Sequence, residues 1–302
     1  MSLKRRIYLV ANKKSEQLCE NLIYSIRQSG CKLPIKVIHF GGDQLQSIYI
    51  LENATLALAS DFPADGQKLI DELRSVLSDC PLGFLYRFLA WYGEWDEFIY
   101  SDNDVVALCN WELMFEHLKE YEFVHADEEY KTKGKYNFIQ PDGVEHAFGP
   151  EALNRAITAG HFAIKRNNKQ VKDFFSAVEW FLKNPGIPKK HDQALMHVAI
   201  ILGNWKTLNL CTPPQNWLSS WAGDYKNPLQ IIHEVQKGRT ISHLHYSDGQ
   251  VTGTKSIEDL IYSFDDTETR LRKIVYNGLN KISGLSYIRI KKNKILKRLK
   301  SK

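Results

Sequence analysis

"FIYSDNDVV", residues 98–106, runs an apolar stretch straight into two aspartates, Asp102 and Asp104, with one asparagine between them, before returning to valine. Carboxylates are costly to leave unpartnered at the end of a buried strand. Ligands in open α/β sheets bind beyond the carboxyl ends of the strands, so both side chains are placed to project into such a crevice. Two residues apart in extended chain they point the same way, and they repel unless a cation sits between them. Oxygen ligands of this kind suit Mg2+ or Mn2+, and such a cation suits a diphosphate. The bland alternative is a strand-ending turn, since Asp and Asn are turn formers.

The flanking sequence sets the two aspartates in an α/β layout. "RRIYLVAN" (5–12) has the look of a buried parallel strand, and "SEQLCENLIYSIRQSG" (15–30) that of an amphipathic helix with Ser15 as its N-cap and Gly30 as its close. "PIKVIHFGGD" (34–43) reads as a second strand, and strand–helix–strand at this spacing begins a doubly wound sheet. Residues 66–92 read as helical. "NWELMFEHLKEY" follows as a helix and "EFVHAD" as a strand, and the polar, Gly- and Pro-punctuated segment 128–150 reads as a mobile loop or hairpin, a candidate lid. Beyond it come the strand "HFAIKRN", the helix "NKQVKDFFSAVEWFLKN", a helix opening at "HDQ" and the strand "TISHLHY" (240–246).

Composition narrows the class. Of the 302 residues 43% are apolar and 25% charged, enough for a sizeable core. No apolar run approaches the ~18 residues of a spanning helix. The run Ile7–Ala11 is too short for the apolar part of a signal peptide. The five scattered cysteines, without a C-x-x-C pair, suit a reducing cytoplasm better than a disulfide framework or a zinc site. Residues 286–302 hold eight Lys or Arg and no acid, leaving −3 for the remainder of a chain whose total is +5. Leu285, Ile288, Ile295, Leu296 and Leu299 can share one helical face there, a pattern that suits an anionic membrane surface. The acidic body, without an aromatic-basic platform, argues against nucleic acid.

Taken in order, these landmarks resemble a nucleotide-sugar glycosyltransferase of the GT-A type, closest to the family 8 type and its bacterial relatives. The resemblance implies a Rossmann-like α/β fold with a mixed central sheet over residues 1–255, followed by a helical, basic extension at 256–302. It implies that "YLVANKK" holds the nucleotide-binding turn, with Ala11 and Asn12 near the base or ribose. "YRFLAW" supplies a helix arginine, Arg87, ahead of the aspartate strand. "YSDND" is the metal motif, binding Mn2+ or Mg2+ through Asp102 and Asp104. "TAGHFAIKRN" supplies Gly160 beside the donor sugar. "KKHDQALM" places Asp192 and Gln193 at the reaction centre, and "ISHLHYSDG" brings a late histidine ligand, His245, with Gly249 and Lys255 on the diphosphate.

The spacing from His245 to Gly249 is one residue longer than in the family, so His243, on the same strand face, is the alternative ligand. The tryptophan that often follows the lysine is absent. The implied donor is a nucleotide sugar, UDP by analogy. The implied acceptor is a glycan or a lipid-linked sugar in cell-surface polysaccharide synthesis, handled by a cytoplasmic enzyme peripheral on the inner face of the membrane. Retention is the implied stereochemistry, while an inverting enzyme needs a base, for which Asp192 is the candidate.

Each residue also has a structural alternative. Arg87 can pair with a nearby acid, Asp192 can cap its helix, and Trp217 and Trp221 can fill the core. Two other functions stay open: a sugar nucleotidyltransferase, disfavoured by a first turn without glycine, and a non-catalytic module of the same fold.

Overall fold

The computed structural model describes residues 4–225 and 231–247. Gly249, Lys255 and the whole segment 256–302 lie outside the described residues. In chain order the described elements are β1 (Arg5–Ala11), α1 (Glu16–Gln28), β2 (Ile35–His39), α2 (Ile48–Asn53), β3 (Thr55–Leu58), α3 (Ala64–Val76), α4 (Leu82–Tyr86), β4 (Glu97–Ser101), β5 (Val105–Ala107) and β6 (Phe123–His125). There follow α5 (Pro141–Phe148), β7 (His161–Lys165), α6 (Asn168–Lys183), α7 (Asp192–Gly203), β8 (Thr207–Asn209), α8 (Ile231–Gln236) and β9 (His243–His245).

Seven strands form one sheet in the order β3-β2-β1-β4-β7-β6-β8, and β5 pairs with β9 in a separate antiparallel ribbon. The sheet strands alternate faces with period two. Tyr8 and Val10 of β1, Phe98 and Tyr100 of β4, and Phe162 and Ile164 of β7 enter the core shared with α3, α6 and α7. Ile7, Leu9 and Ala11, with Ile99 and Ala163, enter the core on the other face, where α1 contributes Cys19, Leu22, Ile23 and Ile26. That i, i+3, i+4, i+7 spacing is the apolar stripe expected of a helix lying on a sheet.

One strand direction positions the site. β1, β2, β3 and β4 are mutually parallel, whereas β7 runs antiparallel to both β4 and β6. Ser101, at the carboxyl end of β4, faces His161, at the start of β7. The turn entering β7 therefore lies at the same sheet edge as the exit from β4. β6 points the same way as β4 and delivers its carboxyl end, with Asp127 just beyond, to that edge as well.

Three sequence expectations change. The helix expected over 66–92 is broken into α3, α4 and a 3-10 turn, Arg87–Tyr92, with Pro81 at the start of α4. The segment 128–150, expected as a mobile loop or hairpin, contains α5 and buries Asn137, Phe138 and Val144. Ser15 does occupy the N-cap position of α1, but its side chain makes no cap bond there. Asn12 instead caps the 3-10 turn Lys13–Ser15, accepting from the amides of Lys14 and Ser15 at 3.0 and 3.1 Å. Among the described residues no helix is long and apolar enough to cross a membrane.

Candidate active site

Asp102 and Asp104 leave β4 in a bend rather than an extended strand. The bend exists because Asn103 turns inward, where its amide nitrogen donates to Val10 O at 2.7 Å and to Ser15 Oγ at 3.3 Å. The aspartate turn is thus tied to the end of β1. The β5–β9 ribbon then brings a third group: Val105 pairs with His245, and the Tyr246 amide donates to Asp104 O at 2.9 Å. One ligand atom each from Asp102, Asp104 and His245 lies within 4.8 Å of the other two. Two carboxylate oxygens and one imidazole nitrogen form a donor set that Mn2+ accepts readily and that Mg2+, which favours oxygen, accepts less well.

The two aspartates are held differently. Asp102 accepts from Tyr100 Oη at 2.7 Å and from Arg87 Nη2 at 3.1 Å, and its backbone amide donates to Gly160 O at 2.7 Å. Its side chain is 16% exposed. Burial raises its pKa, with the Arg87 charge opposing. Asp104 is 37% exposed and meets His245 Nε2 at 3.3 Å. Burial pushes the Asp104 carboxyl up, but the His245 imidazole outweighs this and holds it below the ordinary range. For His245 burial acts downward and Asp104 upward, and the net shift is upward.

Arg87 joins the landmarks. Buried to 2% exposure, it donates through Nε to Phe84 O at 3.0 Å, through Nη1 to Ala159 O, and through Nη2 to Asp102. Nη1 is also in ion-pair contact with Asp192 Oδ2 at 3.1 Å. A planar fork with five donors can bridge two carboxylates and two carbonyls at once, which an ammonium cannot.

The stretch Thr158–Gly160 is secured residue by residue. The Thr158 amide and hydroxyl both donate to Asp127, the Ala159 amide donates to Gln193 Oε1 at 3.3 Å, and Gly160 O accepts from Asp102. Gly160 is required by space, because a Cβ there would stand 2.2 Å from His245 Cε1.

α7 opens at this edge. His191, not Asp192, is its N-cap, with Nδ1 accepting from the Ala194 amide at 3.3 Å. Asp192 is the first helical residue and its carboxylate is 9% exposed. Its Oδ2 makes no directed hydrogen bond among the described residues, although it meets the Arg87 charge. Cys80 Sγ lies 4.0 Å from Oδ1. Gln193 lines a cavity of about 250 Å3 together with Asp127, Thr158, Tyr136, Trp221 and Asp224.

Ala11, Asn12 and His243 are committed to packing or capping. Ala11 is fully buried at the end of β1, and the side-chain oxygen of Asn12 is spent on its cap. His243 is buried with its ring 4.0 Å from that of His161 and beside Trp111. Burial first, and then the neighbouring imidazoles, push His161 down to about 3 and His243 well below the ordinary range, so both are neutral. Trp217 packs against the core, whereas Trp221 lines the cavity. Asn103, Asp127 and Tyr100 are absent from the sequence-based set. Only Tyr100 and Asn103 carry a signal, as neighbours of the aspartates.

No protein-family model matches this sequence, and no curated protein does. Solved structures do resemble it. The WbbM bifunctional glycosyltransferase in its apo form superposes with a TM-score of 0.53 at 12% identity over 90% of this chain and 51% of its own. The galactosyltransferase LgtC, in complex with donor and acceptor sugar analogs, gives 0.53 at 12% identity, over 87% of this chain and 97% of its own. The glycosyltransferase GlyE of Streptococcus pneumoniae TIGR4 gives 0.51 at 15% identity, over 89% and 63%. The chain thus spans about half of WbbM, under two thirds of GlyE and nearly all of LgtC. At these identities the likeness is one of fold, and the fold is that of the GT-A glycosyltransferases.

Proposed function

We propose that this chain is a metal-dependent glycosyltransferase that moves a sugar from a nucleotide diphosphate donor, a UDP-sugar, to a glycan or lipid-linked acceptor. The observation that carries this reading is the convergence of Asp102, Asp104 and His245 at the carboxyl edge of a GT-A sheet. The closer kinship with the family 8 type, and retention of configuration with it, rest on the order of the sequence landmarks.

Asp102, Asp104 and His245 are the residues that would hold Mn2+ or Mg2+, which when bound supplies positive charge to the departing diphosphate. The remaining work falls to the chain. Arg87 and Tyr100 fix the Asp102 carboxylate before any ligand arrives, a preorganisation that costs nothing during the reaction. Asp192, ion-paired with Arg87 at the start of α7, is the carboxylate we assign to the reaction centre. The cavity beside Gln193 is our acceptor site. Tyr136 and Trp221 offer faces for a pyranose, and Asp127 and Asp224 favour hydroxyls over anionic groups. Residues 286–302, outside the described residues, are the part we assign to an anionic membrane surface.

UDP release from a panel of UDP-sugars, with Mn2+ or with EDTA, tests this reading. Metal-dependent turnover of one donor is expected. Binding of UDP without turnover of any donor would point to a non-catalytic module, and pyrophosphate release from UTP and a sugar 1-phosphate would point to a nucleotidyltransferase.

A further inference from the structure

Asn137, His197 and Gln193 form a buried hydrogen-bond chain whose every donor and acceptor can be assigned. Asn137 and His197 are both fully buried. The chain starts at the Ala152 carbonyl, 2.9 Å from His197 Nε2. A carbonyl only accepts, so Nε2 carries the proton and Nδ1 of the neutral ring offers a lone pair. The Asn137 group 3.1 Å from Nδ1 is therefore its amide nitrogen. Asn137 Oδ1 then faces Gln193, whose Nε2 donates to it at 2.8 Å. Gln193 Oε1 is left to accept from the Ala159 amide at 3.3 Å, and a backbone N–H only donates. Both ends of the chain are fixed by backbone groups, so no amide in it can flip without breaking a bond.

We propose that Asn137 and His197 are positioning residues that lock the Gln193 side chain in one orientation, so that it presents one N–H and one oxygen lone pair to the cavity it lines with Asp127 and Thr158. The proposal rests on the reading of that cavity as the place of sugar transfer. Gln193 and His197 are four residues apart on one face of α7, which makes the link short and stiff. The Asn137 backbone is fixed independently, its amide donating to Gly134 O at 2.8 Å and its carbonyl accepting from Lys189 at 2.9 Å. The titratable and charged side chains that act on His197 are Arg155 and His125. Burial lowers its pKa to about 4, against the hydrogen bond to Ala152 and in the same sense as Arg155 and His125, in keeping with a neutral ring.

Imidazole 15N spectra of wild type and Asn137→Asp, and turnover of the active UDP-sugar by wild type, Asn137→Asp and Asn137→Leu, test this. In wild type near neutral pH only Nε2 of His197 should carry a proton. In Asn137→Asp one carboxylate oxygen still accepts from Gln193 while the other faces Nδ1, so a second proton should enter and His197 should titrate near or above neutrality. Asn137→Leu should lower turnover roughly tenfold to a hundredfold with UDP affinity unchanged, and Asn137→Asp should recover most of that loss. A wild-type proton on Nδ1, an unaltered His197 in Asn137→Asp, or full turnover in a folded Asn137→Leu would each overturn the proposal. If Asn137→Leu does not fold, the two spectra decide. Absence of turnover in wild type would count against the transferase reading instead, and the imidazole signals would still judge the lock.

Discussion

Arg87 holds two carboxylates and two carbonyls in a place that water barely reaches, and removing it leaves all four without that partner. Arg87→Ala should therefore lower unfolding free energy by roughly 3–5 kcal/mol, the cost of breaking a buried pair from one side, measurable by urea denaturation. Arg87→Lys should recover only part of this, because an ammonium cannot span Asp102, Asp192 and Ala159 together. Gly160 makes the opposite case, a residue whose importance is the absence of a side chain. Gly160→Ala should push the His245 ring aside and weaken metal-dependent UDP binding roughly 10–100-fold while the protein stays folded by circular dichroism. His245 adds a pH dependence. Its pKa is raised beside Asp104, so in the metal-free protein it keeps its proton to higher pH than a free imidazole. Metal binding needs the neutral ring and releases that proton. Affinity for Mn2+ should therefore rise with pH, over a range displaced upward from that of a free imidazole, and a flat profile by calorimetry would exclude His245 as a ligand. At this scale the aspartate pair is legible because acids at the end of an apolar strand demand a reason. The choice between His243 and His245 is not, since residues two apart on a strand share a face and only the packing separates them. Asn12 is ambiguous in a similar way: an asparagine after a strand can bind a ligand or cap the next turn, and here its oxygen caps.

Elements succeed or fail on periodicity and direction. β1, α1 and β2 are legible because a five-residue apolar run fits a buried strand and a 3.6-residue stripe fits a helix lying on a sheet. The antiparallel direction of β7 is not, since a short buried strand reads alike whichever way it runs, yet that direction is what carries Gly160 to the aspartates. The segment 128–150 reads as a loop because its few buried residues, Gly134, Asn137, Phe138 and Val144, lie among exposed polar ones and α5 is only about two turns long. A prediction belongs to the joint between β1 and β4. Asn103→Ala would leave the buried Val10 carbonyl without its donor, at a cost of about 1–3 kcal/mol, and would free the aspartate bend. Lower thermal stability together with weaker metal-dependent UDP binding is expected, and loss of stability with unchanged binding would mean that the bend holds its shape without Asn103.

For the molecule as a whole, composition shows an acidic body and a basic end but not how strands order themselves in the sheet, because long-range pairing leaves no local trace in the chain. If residues 286–302 meet a membrane, removing them should abolish sedimentation with vesicles containing anionic lipid. Salt should do the same, since each basic side chain near such a surface contributes about 1 kcal/mol that screening removes. Binding that persists in the truncated protein would place the contact elsewhere.

The site at the sheet edge is the centre of the functional reading, and Asp104 is the residue through which to test it. Asp102 is built into the Arg87 and Tyr100 network, so its loss would disturb the fold, whereas Asp104 is 37% exposed and has His245 as its side-chain ion-pair partner. The decisive measurement is binding of UDP, against GDP and CMP, with Mn2+ and with EDTA, in wild type and in Asp104→Ala. UDP binding that needs the metal and disappears in the folded variant is the predicted result. Failure of every nucleotide to bind wild type with metal present would contradict it, and would mean that the two aspartates close a strand and nothing more.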